Sequence, residues 1–271
     1  MERVPVSYLV GEAASWKHKG IPKVIFICTT CIDLFLASDY EALGRKIERN
    51  YGVRVGITRM EPVLNGRLIN DIIKTNFGVY SVLRKEENLP MLNEVNIIGR
   101  EFLPAAESDL PVILKNAGID RVNHILHFKT LKEADRMCRA RLNIAVEYGS
   151  LEAAEYMKEK WGIPYVYIEN GFTPEHIHVN YMKIGEALGI ELDDGVYLQA
   201  VKEKIQETVE ACGDDTFAIG ESVNKRSYRA AEDFCKMGFH VVGVFSRTIF
   251  GEDYETLARL AEYNPKMRLY I

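Results

Sequence analysis

The sequence predicts an α/β protein made of successive parallel-sheet, Rossmann-like units flanked by helices, with no dinucleotide-binding loop. Two observations carry that prediction. Short apolar, β-branched runs alternate with amphipathic helical patterns along the chain, and strands that alternate with helices pair in parallel through right-handed crossovers. The helical patterns also stop on glycine: Gly52 after Tyr51, Gly118 after Ala117, Gly162 ahead of Pro164 and Gly238 after Met237, where a left-handed terminus favours it. With 47% hydrophobic and 27% charged residues among 271, the chain has apolar mass for real cores and length for about two ordinary domains.

Taken in order, the first expected strand is Lys23–Thr29, followed by a helix over Ser38–Tyr51 that Gly52 ends. A second strand, Arg54–Thr58, closes the first unit. The apolar runs Val95–Gly99, Val122–His127, Asn143–Glu147 and Tyr165–Glu169 read as a middle set of strands. Helical patterns over Leu110–Ala117, Leu151–Trp161, Thr173–Leu188 and Val196–Ala211 accompany them. Thr216–Gly220, His240–Phe245 and Arg268–Ile271 form the last set, with helices over Ser227–Met237 and Tyr254–Tyr263 between them. Boundaries are expected near Leu89–Asn93, after the charged loop Arg84–Asn88, and at Cys212–Asp215. The units are then 1–92, 93–212 and 213–271. About two strands in the first unit and three in the last are few beside the usual four to six. The first and last units read as incomplete, to be finished by partner chains or by more of a longer polypeptide.

Several function classes are disfavoured. A net charge of −5 gives no general attraction to nucleic acid. No apolar run approaches ~18 residues and the amino terminus has no signal-like core, so no membrane is expected and the protein reads as cytoplasmic. Five scattered cysteines do not make a disulfide framework. No strand leads into Gly-x-Gly-x-x-Gly or a phosphate loop. The turn Gly220–Asn224 could offer amides to an anion, but Glu221 would repel it. No nucleotide is expected on this chain.

The chemistry centres on Cys31. An apolar strand stops there and a helical pattern begins, so the thiol would sit among unpaired amides that lower its pKa, at the end of the sheet where ligands bind. The bland alternative is a small buried thiol. Cys28, three positions earlier, would face the opposite side of a continuous strand. Cys138, Cys212 and Cys235 read as structural. Glu147 ends an apolar strand and points either into a cleft or to solvent. His124 and His127 would face opposite sides of a strand, leaving His127 at its end to meet a substrate. His176 and His178 are turned apart on a helix, a poor zinc pair. Arg59, Asn65, Gly66 and Tyr148 fall at strand ends or in the following loops, as cleft candidates do.

Several segments taken together resemble the nitrogenase component 1 type oxidoreductases, which include nitrogenase molybdenum–iron protein subunits, dark-operative protochlorophyllide reductases and nickel-tetrapyrrole reductive cyclases. They are Thr29-Thr30-Cys31 with Asp39, Glu61–Gly66 with Asn70-Asp71, Val95–Gly99, Arg141–Ser150, Glu159–Tyr165 and Phe217–Glu221. The similarity is colinear over nearly the whole chain. It implies that Cys31 helps to hold an iron–sulfur cluster, of 4Fe–4S type, shared with a second component 1 type subunit. It further implies an ATP-dependent iron–sulfur reductase as electron donor and a small-molecule or tetrapyrrole-like substrate. Cys28 and Asp33 are the local candidates to assist, since one or two cysteines cannot complete four ligands. Glu147 stands where nitrogenase proper has its cofactor cysteine, and a hard carboxylate replaces thiolate poorly on a sulfur-rich cluster. The expectation is therefore an electron-accepting reductase subunit that does not reduce dinitrogen. A metallocofactor assembly scaffold, or a truncated chain without a cluster, is the alternative.

Overall fold

The computed structural model describes residues 22–30, 39–60, 77–99, 108–169, 171–224, 226–247, 249 and 253–270. Nine strands lie in three sheets among these residues, and every strand pair is parallel. The α/β architecture is as the sequence predicts. By compactness the chain divides into two units, Met1–Ala105 with Ile119–Tyr167, and Ala106–Gly118 with Ile168–Ile271.

The first unit opens with a two-stranded sheet, β1 (Val24–Thr30) beside β2 (Arg54–Met60), joined through helix α1 (Tyr40–Tyr51). Asp39 caps α1 by accepting from the Ala42 amide at 2.8 Å, and Gly52 ends it at φ 64°. Leu43 and Ile47 of α1 pack on Ile25, Ile27 and Val55, the alternate residues of one sheet face. On the other face a helical turn at 77–81 comes close. A Cβ on Gly56 would stand 2.7 Å from the Gly78 carbonyl oxygen, and one on Gly78 only 2.5 Å from Thr58 Cγ2.

The middle sheet is ordered β4 (Arg121–Asn123), β3 (Glu94–Ile98), β5 (Leu142–Ala145), β6 (Tyr165–Tyr167). Its core joins Tyr80, Leu83 and Ile98 to Met137, Cys138, Ala145, Met157 and Ile163. A polar seam crosses the sheet within this apolar setting. Asn96, in register with both Asn123 and Asn143, donates to Asn143 Oδ1 at 2.7 Å and to the Met137 carbonyl at 2.9 Å. Asn123 donates to Glu94 Oε2 at 2.9 Å, and Arg136 forks onto both Glu94 oxygens. These bonds offset the cost of burying three amides and a carboxylate. One more carboxylate joins the two sheets. Asp135 receives a bidentate pair from Arg54 at 2.6 and 2.7 Å and the Arg84 amide at 2.8 Å.

Three sequence expectations are corrected here. The strand expected over Val122–His127 ends at Asn123. The buried His124 ring accepts from the Leu126 amide at 3.3 Å and caps a 3₁₀ turn, Ile125–His127, which a strand cannot continue. The two histidine rings therefore do not face opposite sides of a strand; their centroids are 6.0 Å apart, edge to face. The stretch after it folds as a short helix, α3 (Leu131–Ala134), running into a 3₁₀ segment, Asp135–Arg139. Finally, β5 stops at Ala145, so Glu147 belongs to the turn beyond the strand.

In order along the chain, α2 (Asp109–Asn116) precedes β4 and α4 (Leu151–Trp161) precedes β6. Helices α5 (Pro174–Leu188) and α6 (Gly195–Cys212) then lead into the third sheet. That sheet is ordered β7 (Thr216–Gly220), β8 (His240–Phe245), β9 (Arg268–Tyr270), with α7 (Ser227–Lys236) and α8 (Asp253–Tyr263). Tyr228, Ala231, Val244 and Leu260 form its core. The buried Glu232 accepts from Arg259 at 2.7 Å and pairs with Lys236 at 2.7 Å. Phe245 and Tyr270 stack at 4.2 Å on an exposed part of this sheet.

Candidate functional site

Cys31, Asp33, Asn65 and Gly66 lie outside the described residues. What the structure gives of the cysteine motif is its approach. β1 continues as a strand to Thr30, with Thr29 paired to Arg59 and Thr30 to Met60 at the end of β2. The Cys28 thiol is exposed and accepts from Thr58 Oγ1 at 3.2 Å. Cys28 shares its sheet face with Phe26, away from α1, by the alternation of the strand. The Thr58 hydroxyl has one proton and a second acceptor, the Ile27 carbonyl at 3.5 Å, so the thiol is approached by an adjustable donor.

The carboxyl end of the middle sheet holds a second candidate site. β4 flanks β3 on one side and β5 on the other, so the chain leaves β3 toward one edge of the sheet and β5 toward the opposite edge. Where connections diverge in this way an open parallel sheet leaves a crevice, the usual ligand position in such folds. Gly99 stands on the β3 side and the half-buried Glu147 on the β5 side. The Glu147 carbonyl accepts from the Ser150 amide at 2.9 Å and the Ser150 hydroxyl at 2.6 Å, closing the 3₁₀ turn Tyr148–Ser150. Gly99 has φ 100°, and a Cβ there would lie 2.6 Å from the Ser150 side chain. Only glycine permits both the backbone angle and the approach. Burial pushes the pKa of the Tyr80 hydroxyl up, against the pull of its hydrogen bond to the Gly99 backbone.

Of the sequence candidates, Glu147 and Tyr148 are consecutive in the turn that follows β5. His127 lines a different cavity, with Arg121, Arg136 and Arg139. Partial burial and then the Arg121 charge hold its imidazole below the ordinary range. Cys138 is wholly buried in the core, its thiol pushed up to about 12 by desolvation first. Cys235 is half-buried against the third-sheet core, and its pKa too is raised by burial. His176 and His178 serve separate partners, the Glu169 carbonyl at 2.9 Å and the Asp194 carboxylate at 2.9 Å. Sequence reasoning passed over Tyr80 and Ser150. Its one usable signal was Gly99 directly after an apolar strand. Among the described residues no helix is long and apolar enough to cross a membrane, and no group of three or more His, Cys, Asp and Glu could hold a metal.

The family model for nitrogenase component 1 type oxidoreductases matches residues 16–270. The nitrogenase iron-molybdenum cofactor biosynthesis protein NifE of Clostridium pasteurianum is 26% identical over 266 residues, 93% of this chain and 56% of that protein. The chain therefore spans a little over half the length of that curated relative. Among solved structures, nitrogenase Cp1 at pH 6.5 superposes with a TM-score of 0.69 at 16% identity, over 97% of this chain and 62% of the other. Nitrogenase Cp1 at pH 5 gives 0.55 at 17% identity, over 94% and 55%. At these identities the structural likeness speaks for the fold.

Proposed function

The chain belongs to the nitrogenase component 1 type oxidoreductase family, and from that premise we propose that it serves as an assembly scaffold for an iron–sulfur metallocofactor. A second component 1 type subunit would complete the site. The carrying observation is Glu147. It follows β5 at the switch point of the strand order, and by the family resemblance it stands where nitrogenase proper has a thiolate. A carboxylate is a hard oxygen donor and grips a sulfur-rich cluster weakly. Weak attachment suits a protein that must hand its cargo on. The name of the Clostridium relative, a cofactor biosynthesis protein, agrees with this reading.

The donors fit a shared, incomplete site. Glu147 offers oxygen, the neighbouring Ser150 hydroxyl is committed to a carbonyl, and the sulfur donors near the motif are Cys31 and the exposed Cys28. In this reading Cys31 anchors a 4Fe–4S cluster with ligands from the partner subunit, and Asp33 assists. Such a cluster supplies one-electron chemistry. This chain's part is to present a thiol at a strand end, with Thr58 steadying the neighbouring one. Arg59, Asn65 and Gly66 are proposed to border the same cleft, His127 to meet a substrate outside it.

A second reading has the accessible Cys28 in its favour: an electron-accepting subunit served by an ATP-dependent iron–sulfur reductase. One experiment separates them. The protein, copurified anaerobically with its component 1 type partner, is charged with metallocofactor, then offered to a cofactor-free acceptor or to the reductase with ATP. The scaffold reading expects metal to pass to the acceptor, with Glu147→Cys retaining it at least about tenfold longer. Substrate turnover with the reductase, and no transfer, would sink it.

A further inference from the structure

A cavity of about 540 Å³ opens beside the amino ends of β3 and β4. Arg121 begins β4, and Arg139 reaches back toward the Pro90 carbonyl at 3.5 Å ahead of β3. In a chain whose net charge is −5, five basic side chains line this cavity against three carboxylates. Two of the eight are already spent. Arg136 is forked onto the buried Glu94, and Asp135 is held bidentately by Arg54. Arg121, Lys129, Lys132 and Arg139 remain, against Glu86 and Glu133. None of these four cations makes an ion pair among the described residues, and the Glu133 carboxylate instead accepts the Lys129 amide at 2.9 Å.

We infer that this cavity is a binding site for a small polyanion, a molecule carrying two or more phosphate or carboxylate groups. Its size falls in the range of small-molecule pockets, about 300–1,000 Å³. Its surplus of two positive charges calls for a ligand of at least two negative ones. Arg121 is held over the Phe128 ring, 5.3 Å from its centroid, which fixes a planar, bidentate donor at the wall. The two lysines add mobile point charges. Four cations with no ion pair among the described residues repel each other around one concavity, and an anion relieves that repulsion in a partly desolvated place, where charges interact more strongly than in bulk water. The site is separate from the Glu147 crevice, which lies at the other end of the same sheet.

The test is isothermal titration of the full chain with inorganic pyrophosphate and, separately, with citrate, at constant ionic strength, with sulfate as the simple-anion control. Saturable one-site binding with Kd below about 1 mM is expected for at least one of the two. Pyrophosphate alone would point to a phosphate-bearing ligand, citrate alone to a polycarboxylate, and both to a site that reads charge. The double variant Lys129→Glu, Lys132→Glu changes exposed residues and should lose at least tenfold in affinity with an unchanged circular dichroism spectrum. The control Lys46→Glu, Lys266→Glu carries the same charge change at distant exposed positions and should lose less than twofold. Heats that never saturate, sulfate binding as tightly as either probe, or equal losses in both double variants would overturn the site.

Discussion

Glu94 and Glu147 sit at opposite ends of one four-stranded sheet and illustrate two uses of the same side chain. Glu94 is 2% exposed, clasped by Arg136 and Asn123, with its carboxyl held below the usual range by those hydrogen bonds despite the opposing pull of burial. Glu147 is only half-buried and lies in a turn that its backbone carbonyl closes by accepting from Ser150. The fold needs the first charge; the second is the one proposed above to meet a ligand. A buried carboxylate with satisfied partners therefore marks architecture.

The sharpest way to break this contrast is to remove the partner of the buried acid. Arg136→Met leaves Glu94 charged and under-compensated, and should cost about 3–5 kcal/mol in chemical denaturation. Glu147→Gln should change the same midpoint by about 0.5 kcal/mol or less. Comparable losses for both would erase the distinction. Next is Gly99→Ala, which forces a side chain into the left-handed region and onto Ser150. A loss of about 1–3 kcal/mol is expected, with the Glu147 crevice distorted in a crystal structure. Smaller again is the acid response. The folded carboxyl of Glu94 titrates below its unfolded value, so its stabilising share is present above the unfolded pKa and disappears as pH falls through the folded one. Acid unfolding of Glu94→Gln should be correspondingly flatter, read by fluorescence against pH. At the alkaline end the sign reverses. Cys138 is raised from 9.0 to about 12, so its contribution holds below the unfolded value and drains away as pH climbs toward the folded one. Cys138→Ala should lessen that alkaline loss, with the buried Tyr80 accounting for part of what remains.

The sequence carried most of the architecture because periodicity and glycine stops are local signals. Gly52, Gly162 and Gly238 do end or follow helices at positive φ, and β7 and β8 run over the expected residues. Legibility failed where a side chain overrode the pattern. Val122–His127 reads as a strand in the sequence, yet the His124 ring captures the Leu126 amide and turns the chain. The seam of Asn96, Asn123 and Asn143 was hidden for a different reason. The three asparagines stand on three different strands, and only the pairing register brings them side by side. Glu147 could be singled out as a strand-end carboxylate, but not given a direction, since the crevice exists only once strand order is known. Lys129, Lys132, Arg136 and Arg139 look like a solvated helical face in one dimension, and their convergence with Arg121 is a product of folding.

Asp135 and Arg136 are chain neighbours, yet one grips Arg54 of β2 while the other grips Glu94 of β3. A single 3₁₀ turn is thus riveted to two sheets by consecutive side chains. The strand that leads to the cysteine motif is tied through its β2 neighbour to the most deeply buried sheet of the unit. A thin, two-stranded ribbon thereby borrows stiffness from a thicker slab, as far along β1 as Thr30.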